Sequence, residues 1–167
     1  VKAGSGFDTH GHKDMEIVTF VRRGAITHRD SRGNEGRTEA GDVQVMSAGT
    51  GIHHSEFNRE SEDTTLYQIW IEPRKEGVEP RWEAARFAGR KAESDLLLLV
   101  SGRAEDNGKG ALYIQQDASI SGGLVEAGKE VSNTSRDQAY LLGSDGQIEI
   151  GDERLRRCDS AEITEHA

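Results

Sequence analysis

Two short pairs of ligand-type side chains, His10-Gly11-His12 and His54-Ser55-Glu56, constrain this chain more than any other feature. Each pair is spaced i, i+2. In an extended strand alternate residues project from one face about 6.6 Å apart, so each pair presents both of its side chains in one direction. Two such strands side by side bring three imidazoles and one carboxylate to a single point. The pairs therefore demand a β-structure in which residues 10–12 and 54–56 are neighbours. That donor set accepts Fe, Ni, Co, Cu, Mn or Zn and leaves one or two coordination positions open on a metal that prefers five or six ligands.

The rest of the sequence suits an all-β fold. Ile17-Val18-Thr19-Phe20-Val21 is a β-branched and aromatic run closed by Arg22-Arg23-Gly24. Ala25 to His28 reads as a second strand and Asp30 to Asn34 as the turn after it. In Val43 to Met46, Val43 and Val45 face one way and Gln44 and Met46 the other. Gly49-Thr50-Gly51 lets the backbone bend sharply before His54 points inward. Leu66 to Ile71 alternates Leu66, Gln68 and Trp70 with Tyr67, Ile69 and Ile71 and reads as a strand with apolar character on both faces.

Prolines and charges between Pro73 and Arg90 mark a division, with Trp82 to Phe87 expected as an aromatic-anchored turn or one helical turn. We assign residues 1–80 to a metal-binding domain, 81–92 to a linker and 93–167 to a second domain. Strands are expected in the second domain at 96–100, 112–116, 118–123, 125–131, 139–142, 147–150 and 160–164. Asp145-Gly146 and Gly151-Asp152 are hairpin signals. No histidine occurs between Glu56 and His166, so the second domain cannot repeat the metal site.

Lys plus Arg at 21 against Asp plus Glu at 30 gives a net charge of −9, which disfavours direct nucleic-acid binding because phosphates are repelled. Cys158 is the single cysteine, so no intrachain disulfide forms and a reducing, cytoplasmic setting is expected. The apolar run Leu96 to Val100 is far too short to span a bilayer.

The spacing from Gly4 through His10-x-His12 to Glu16 and Gly24 resembles the first cupin motif, with one extra residue before Glu16. Gly41, Ser47-Ala48-Gly49, His54 and Asn58 resemble the second, with Ser47 where proline is common. The strings HGHKDMEIVTFVRRGAITHRDSRGN, AGDVQVMSAGTGIHHSEFN and LYQIWIEP are similar to those of pirins and the pirin-like quercetinases of bacteria. The match is strong from Gly6 to about Arg81 and extends only in general layout over Lys91 to Ala167.

The resemblance implies a bicupin, two jelly-roll-type β-barrel domains packed together with one divalent metal ion, Fe(II), in the first. The stretch ahead of His10 is shorter than in the family, so the first barrel is expected to be incomplete at its N-terminus. Carried over residue by residue, the ligands are His10, His12, His54 and Glu56. Glu16, a ligand in many cupins, takes a structural role. The activity implied is opening of a flavonol ring with dioxygen; the alternative is a metal-binding regulatory protein that acts through a protein partner. A cupin isomerase or decarboxylase would share the ligands and consume no dioxygen.

Glu56 is the expected proton acceptor for an oxyanion-forming substrate. Phe7, Met46 and Phe57, beside the ligands, are candidates to line an aromatic substrate pocket. His53 must face away from His54 and reads as a surface or packing residue. His28 is expected to be structural, Cys158 packed, and His166 part of a frayed tail.

Overall fold

The computed structural model describes residues 1–89, 94–135 and 138–164. Its first eight strands are β1 (Gly6–His12), β2 (Glu16–Arg23), β3 (Ala25–Asp30), β4 (Glu35–Glu39), β5 (Val43–Ser47), β6 (Ile52–Phe57), β7 (Thr65–Ile71) and β8 (Arg81–Ala85). They form two antiparallel four-stranded sheets, ordered β1-β6-β3-β4 and β7-β2-β5-β8. The inner strands β2 and β5 are rich in β-branched residues and largely buried because each face meets a different core. On one face Val18, Val43 and Val45 pack with Phe87, Leu99, Val100, Leu112 and Ile114. On the other, Ile17 and Met46 pack with Ala48 and with Ile52 of β6, so this second core lies between the two sheets. Two sheets stacked over a shared core make a β-sandwich. The all-β class expected from the sequence is the one adopted, although among the described residues the strands are not hydrogen-bonded into a closed ring.

Residues 81–85 correct one expectation. Arg81–Ala85 is neither a turn nor a helical turn but β8, paired with β5 from Val43↔Ala85 to Ser47↔Arg81. Pairing there satisfies backbone groups that β5 would otherwise bury unbonded. Trp82 lies opposite Met46 and shares its face. Residues 90–92 of the expected linker lie outside the described residues, as does His166. The strand expected at 66–71 is β7, which among the described residues is an edge strand bonded to β2, and its Ile69 and Trp70 are exposed.

Beyond residue 94, β9 (Leu97–Ser101), β10 (Leu112–Tyr113) and β11 (Ser119–Gly122) form a three-stranded sheet that feeds Leu99, Val100 and Leu112 into the first core. β12 (Gln138–Leu142) pairs with β15 (Ser160–Thr164), and β13 (Gln147–Ile150) with β14 (Glu153–Arg156). The expected strand at 125–131 is absent. The Ala127-Gly128 turn is present, with Gly128 at φ 75° and Lys129 N–H donating to the Glu126 carbonyl at 3.0 Å. Its flanks carry the charged Glu126, Lys129 and Glu130 between Val125 and Val131. Cys158, expected to pack, is exposed in the turn between β14 and β15 at φ 68°. The chain divides into two compact units, Val1–Val131 and Ser132–Ala167, and the candidate site belongs to the first. No helix among the described residues is long and apolar enough to cross a membrane.

Candidate metal centre

β1 and β6 run antiparallel with His10 opposite His54 and His12 opposite Ile52. Residues directly opposite in such a pair point to the same face. Phe7 lies opposite Glu56, so three steps along β1 are matched by two along β6, and the additional residue forms a β-bulge. The bulge shifts the alternation of β1 by one. Phe7, His10 and His12 therefore share the face of Ile52, His54 and Glu56, which is the face turned toward the second sheet. The three imidazole centroids stand 4.5 Å (His10–His54), 4.9 Å (His10–His12) and 5.0 Å (His12–His54) apart.

His10 Nδ1 lies 2.7 Å from the Asp8 carbonyl, which only accepts, so the proton sits on Nδ1 and Nε2 is bare. His12 Nε2 and His54 Nε2 are buried with no hydrogen-bond partner. One ring nitrogen from each of the three residues can be chosen so that all lie within 4.8 Å of one another. Unpartnered nitrogens converging at such distances fit a divalent cation, which removes the cost of burying them unbonded. Burial, followed by the neighbouring His28, His10 and His12, pushes the His54 pKa down to about 3. His12 is lowered by burial and then by His10. Both shifts favour the neutral imidazole that a metal requires.

Glu56 is buried on β6 beside this triad and forms a second close group with His28 and His54. Its two oxygens are each held by an amide. Gln44 Nε2 donates to Oε1 at 2.6 Å, and Gln68 Nε2 donates to Oε2 at 2.7 Å. The amides are themselves oriented: Thr38 Oγ1 donates to Gln44 Oε1 at 2.9 Å, and the Trp70 indole N–H donates to Gln68 Oε1 at 3.0 Å. Burial raises the Glu56 pKa, and the Gln68 hydrogen bond leads the effects that oppose the rise.

The structure gathers His10, His12 and His54 and sets Glu56 at their side. Phe7 is exposed on β1, on the Glu56 side. Met46 is buried in the inter-sheet core, and Phe57, half-buried, alternates to the opposite face of β6 from Glu56. His53 is exposed, as its position beside His54 required. Glu16 is fully buried, with Oε2 accepting from Ser47 Oγ at 2.7 Å and from the Gln115 backbone N–H at 3.1 Å. Its parity with Val18 puts it on the face of β2 opposite Ile17 and the inter-sheet core.

Sequence reasoning missed Gln44, Gln68, Trp70, Trp82 and Asp30. A signal existed for Gln44, since a lone amide in the apolar run Val43-Gln44-Val45-Met46 needs a buried partner. Trp70 makes an edge contact with His12 at 5.0 Å between ring centroids. Trp82 lies flat on His28 at 4.9 Å and 9°.

Comparison with known proteins places the site in context. A family profile described as Pirin matches residues 1–71, and one described as the quercetinase C-terminal cupin domain matches residues 98–167. A Pseudomonas aeruginosa protein provisionally named quercetin 2,3-dioxygenase is 47% identical over 98% of this chain and 70% of its own length. A pirin-like protein of Caulobacter vibrioides is 43% identical over 100% of this chain and 72% of its own length. The crystal structure of the bacterial pirin YhhW from Escherichia coli in complex with nickel(II) superposes with a TM-score of 0.85 at 37% identity, covering 99% of this chain and 70% of that one.

Proposed function

Because this chain belongs to the pirin family, we propose that it is a metal-dependent dioxygenase of the quercetin 2,3-dioxygenase type, with Fe(II) as the metal. The observation that carries the reading is the convergence of His10, His12 and His54, with His12 Nε2 and His54 Nε2 buried and unpartnered. In this proposal residues 1–80 carry the metal site, with Glu56 as fourth ligand, and residues 93–167 form a second cupin domain without one. The names of the relatives support a flavonol-like substrate with dioxygen as co-substrate.

A bound divalent metal supplies Lewis acidity that lowers the pKa of a substrate hydroxyl. Glu56 receives the hydroxyl proton at a carboxylate oxygen. Burial raises its proton affinity in the metal-free chain, whereas a neighbouring dication would favour the charged carboxylate, so Glu56 would act as base when loosely held or released by the metal. Gln44 and Gln68 keep the carboxylate plane fixed while it waits for the proton. Phe7 and Trp70, exposed along the same rim, offer ring faces to a planar aromatic substrate.

The test is dioxygen uptake by Fe(II)-loaded protein given quercetin, with His54→Ala and Glu56→Ala variants as the measure of flavonol autoxidation. Uptake above those variants supports the reading. No uptake from protein with one metal bound per chain moves the function to a metal-dependent interaction protein. Glu56→Gln is expected to keep its metal and lose most turnover; full activity in that variant removes Glu56 from the mechanism.

A further inference from the structure

His28 is fully buried beside the triad, and both of its ring nitrogens are engaged. Nε2 lies 3.1 Å from Asp30 Oδ2, and Nδ1 lies 3.4 Å from His54 Nδ1. The Asp30 carboxylate is surrounded by donors. Oδ1 accepts from the backbone N–H of Arg32 at 2.9 Å and of Asn34 at 3.0 Å, and Oδ2 accepts from Asn34 Nδ2 at 2.9 Å. Backbone N–H groups only donate, so Asp30 is an acceptor throughout and His28 must donate to it from Nε2. A neutral imidazole has one N–H. His28 Nδ1 is then a lone pair, and the hydrogen bond to His54 requires the proton to sit on His54 Nδ1. That leaves His54 Nε2 bare, and it is this atom that is buried without a partner.

We propose that Asp30 and His28 are positioning residues that set the tautomer of His54, so that its Nε2 lone pair faces the metal centre. Carboxylate partners that fix a ligating histidine in this way are a general device, here extended by one imidazole. The His28 ring is itself locked in place. Trp82 stacks on it, and Gly36, opposite His28 in the β3–β4 pair, makes room for that indole: a Cβ at position 36 would lie 2.2 Å from the Trp82 ring. The consequence for metal affinity rests on reading His54 as a ligand; the tautomer assignment does not.

Asp30→Asn tests the chain with nearly unchanged shape. The Asn oxygen stays with the two backbone N–H groups, and its NH2 is turned toward His28 and toward Asn34, whose side-chain amide turns over to present its oxygen. His28 must then accept at Nε2 and donate from Nδ1, which forces His54 to the Nε2–H tautomer. Nitrogen-15 NMR of the metal-free protein reads this directly. Wild type is expected to show the Nδ1–H form at His54 and Asp30→Asn the Nε2–H form. His28→Phe, which keeps the stack on Trp82, is expected to leave His54 with a mixture. Nickel(II) affinity is expected to fall about tenfold or more in Asp30→Asn. A wild-type His54 in the Nε2–H form, or a His54 tautomer unchanged in both variants, overturns the proposal. If wild type shows the Nδ1–H form but binds neither nickel(II) nor iron(II), the metal reading fails while the tautomer assignment stands.

Discussion

At the scale of the residue, the histidines carry both the chemistry and a measurable pH dependence. The His54 pKa falls from its ordinary 6.5 to about 3, chiefly through burial. Between those values the unfolded chain binds a proton that the folded, metal-free protein does not, so stability is present above about pH 6.5 and lost progressively as pH falls toward 3. Urea midpoints of metal-free protein are expected to decline from pH 7 to pH 5, with a shallower decline in His54→Phe. Equal slopes in the two proteins would mean that His54 titrates as an exposed residue. The i, i+2 pairing of His10 with His12 and of His54 with Glu56 was legible because the period of a strand is two. The two amides that clamp Glu56 were not, since Gln44 and Gln68 reach it across a gap between sheets that local spacing does not encode.

At the scale of the element, two contacts decide how the strands carry the site. Gly36 on β4 lets Trp82 lie against His28, and no rotamer of a larger side chain avoids a Cβ 2.2 Å from the indole. Gly36→Val is expected to cost about 1–3 kcal/mol by overpacking and to weaken metal binding as well; urea unfolding and nickel titration measure the two effects. Glu16 joins β2 to residue 115 through its bonds to Ser47 and Gln115. Its Oε1 has no hydrogen-bond partner, so Glu16→Gln can keep both bonds through one oxygen and should change stability by less than about 1 kcal/mol. Glu16→Ala strands a buried hydroxyl and a backbone N–H and should cost about 1–3 kcal/mol. Neither variant is expected to alter metal stoichiometry. β2, β3, β5 and β6 were readable from β-branched runs and glycine turns. β8 was not, because Trp82-Glu83-Ala84-Ala85 has no strand pattern of its own and pairs only because β5 lies alongside.

At the scale of the whole molecule, metal binding and folding are linked. An ion that binds only the folded state at 100 times its Kd stabilises by about 2.7 kcal/mol, so loading should raise Tm and chelation should reverse the rise. Hydrogen exchange is expected to locate the added protection in β1, β3 and β6, with no change within Ser132–Ala167; protection spread evenly over both units would contradict a site confined to the first. The sequence by itself determined the all-β class, the three imidazoles with their carboxylate, and the absence of a second such set after Glu56. Those follow from side-chain identity and strand period, which are local. Tertiary structure alone decided the bulge that turns Phe7 and His10 to one face, the amide clamp on Glu56, and the His28–His54 contact behind the triad. Each of these depends on register or on packing between strands distant in the chain, and neither is written in the spacing of any one segment.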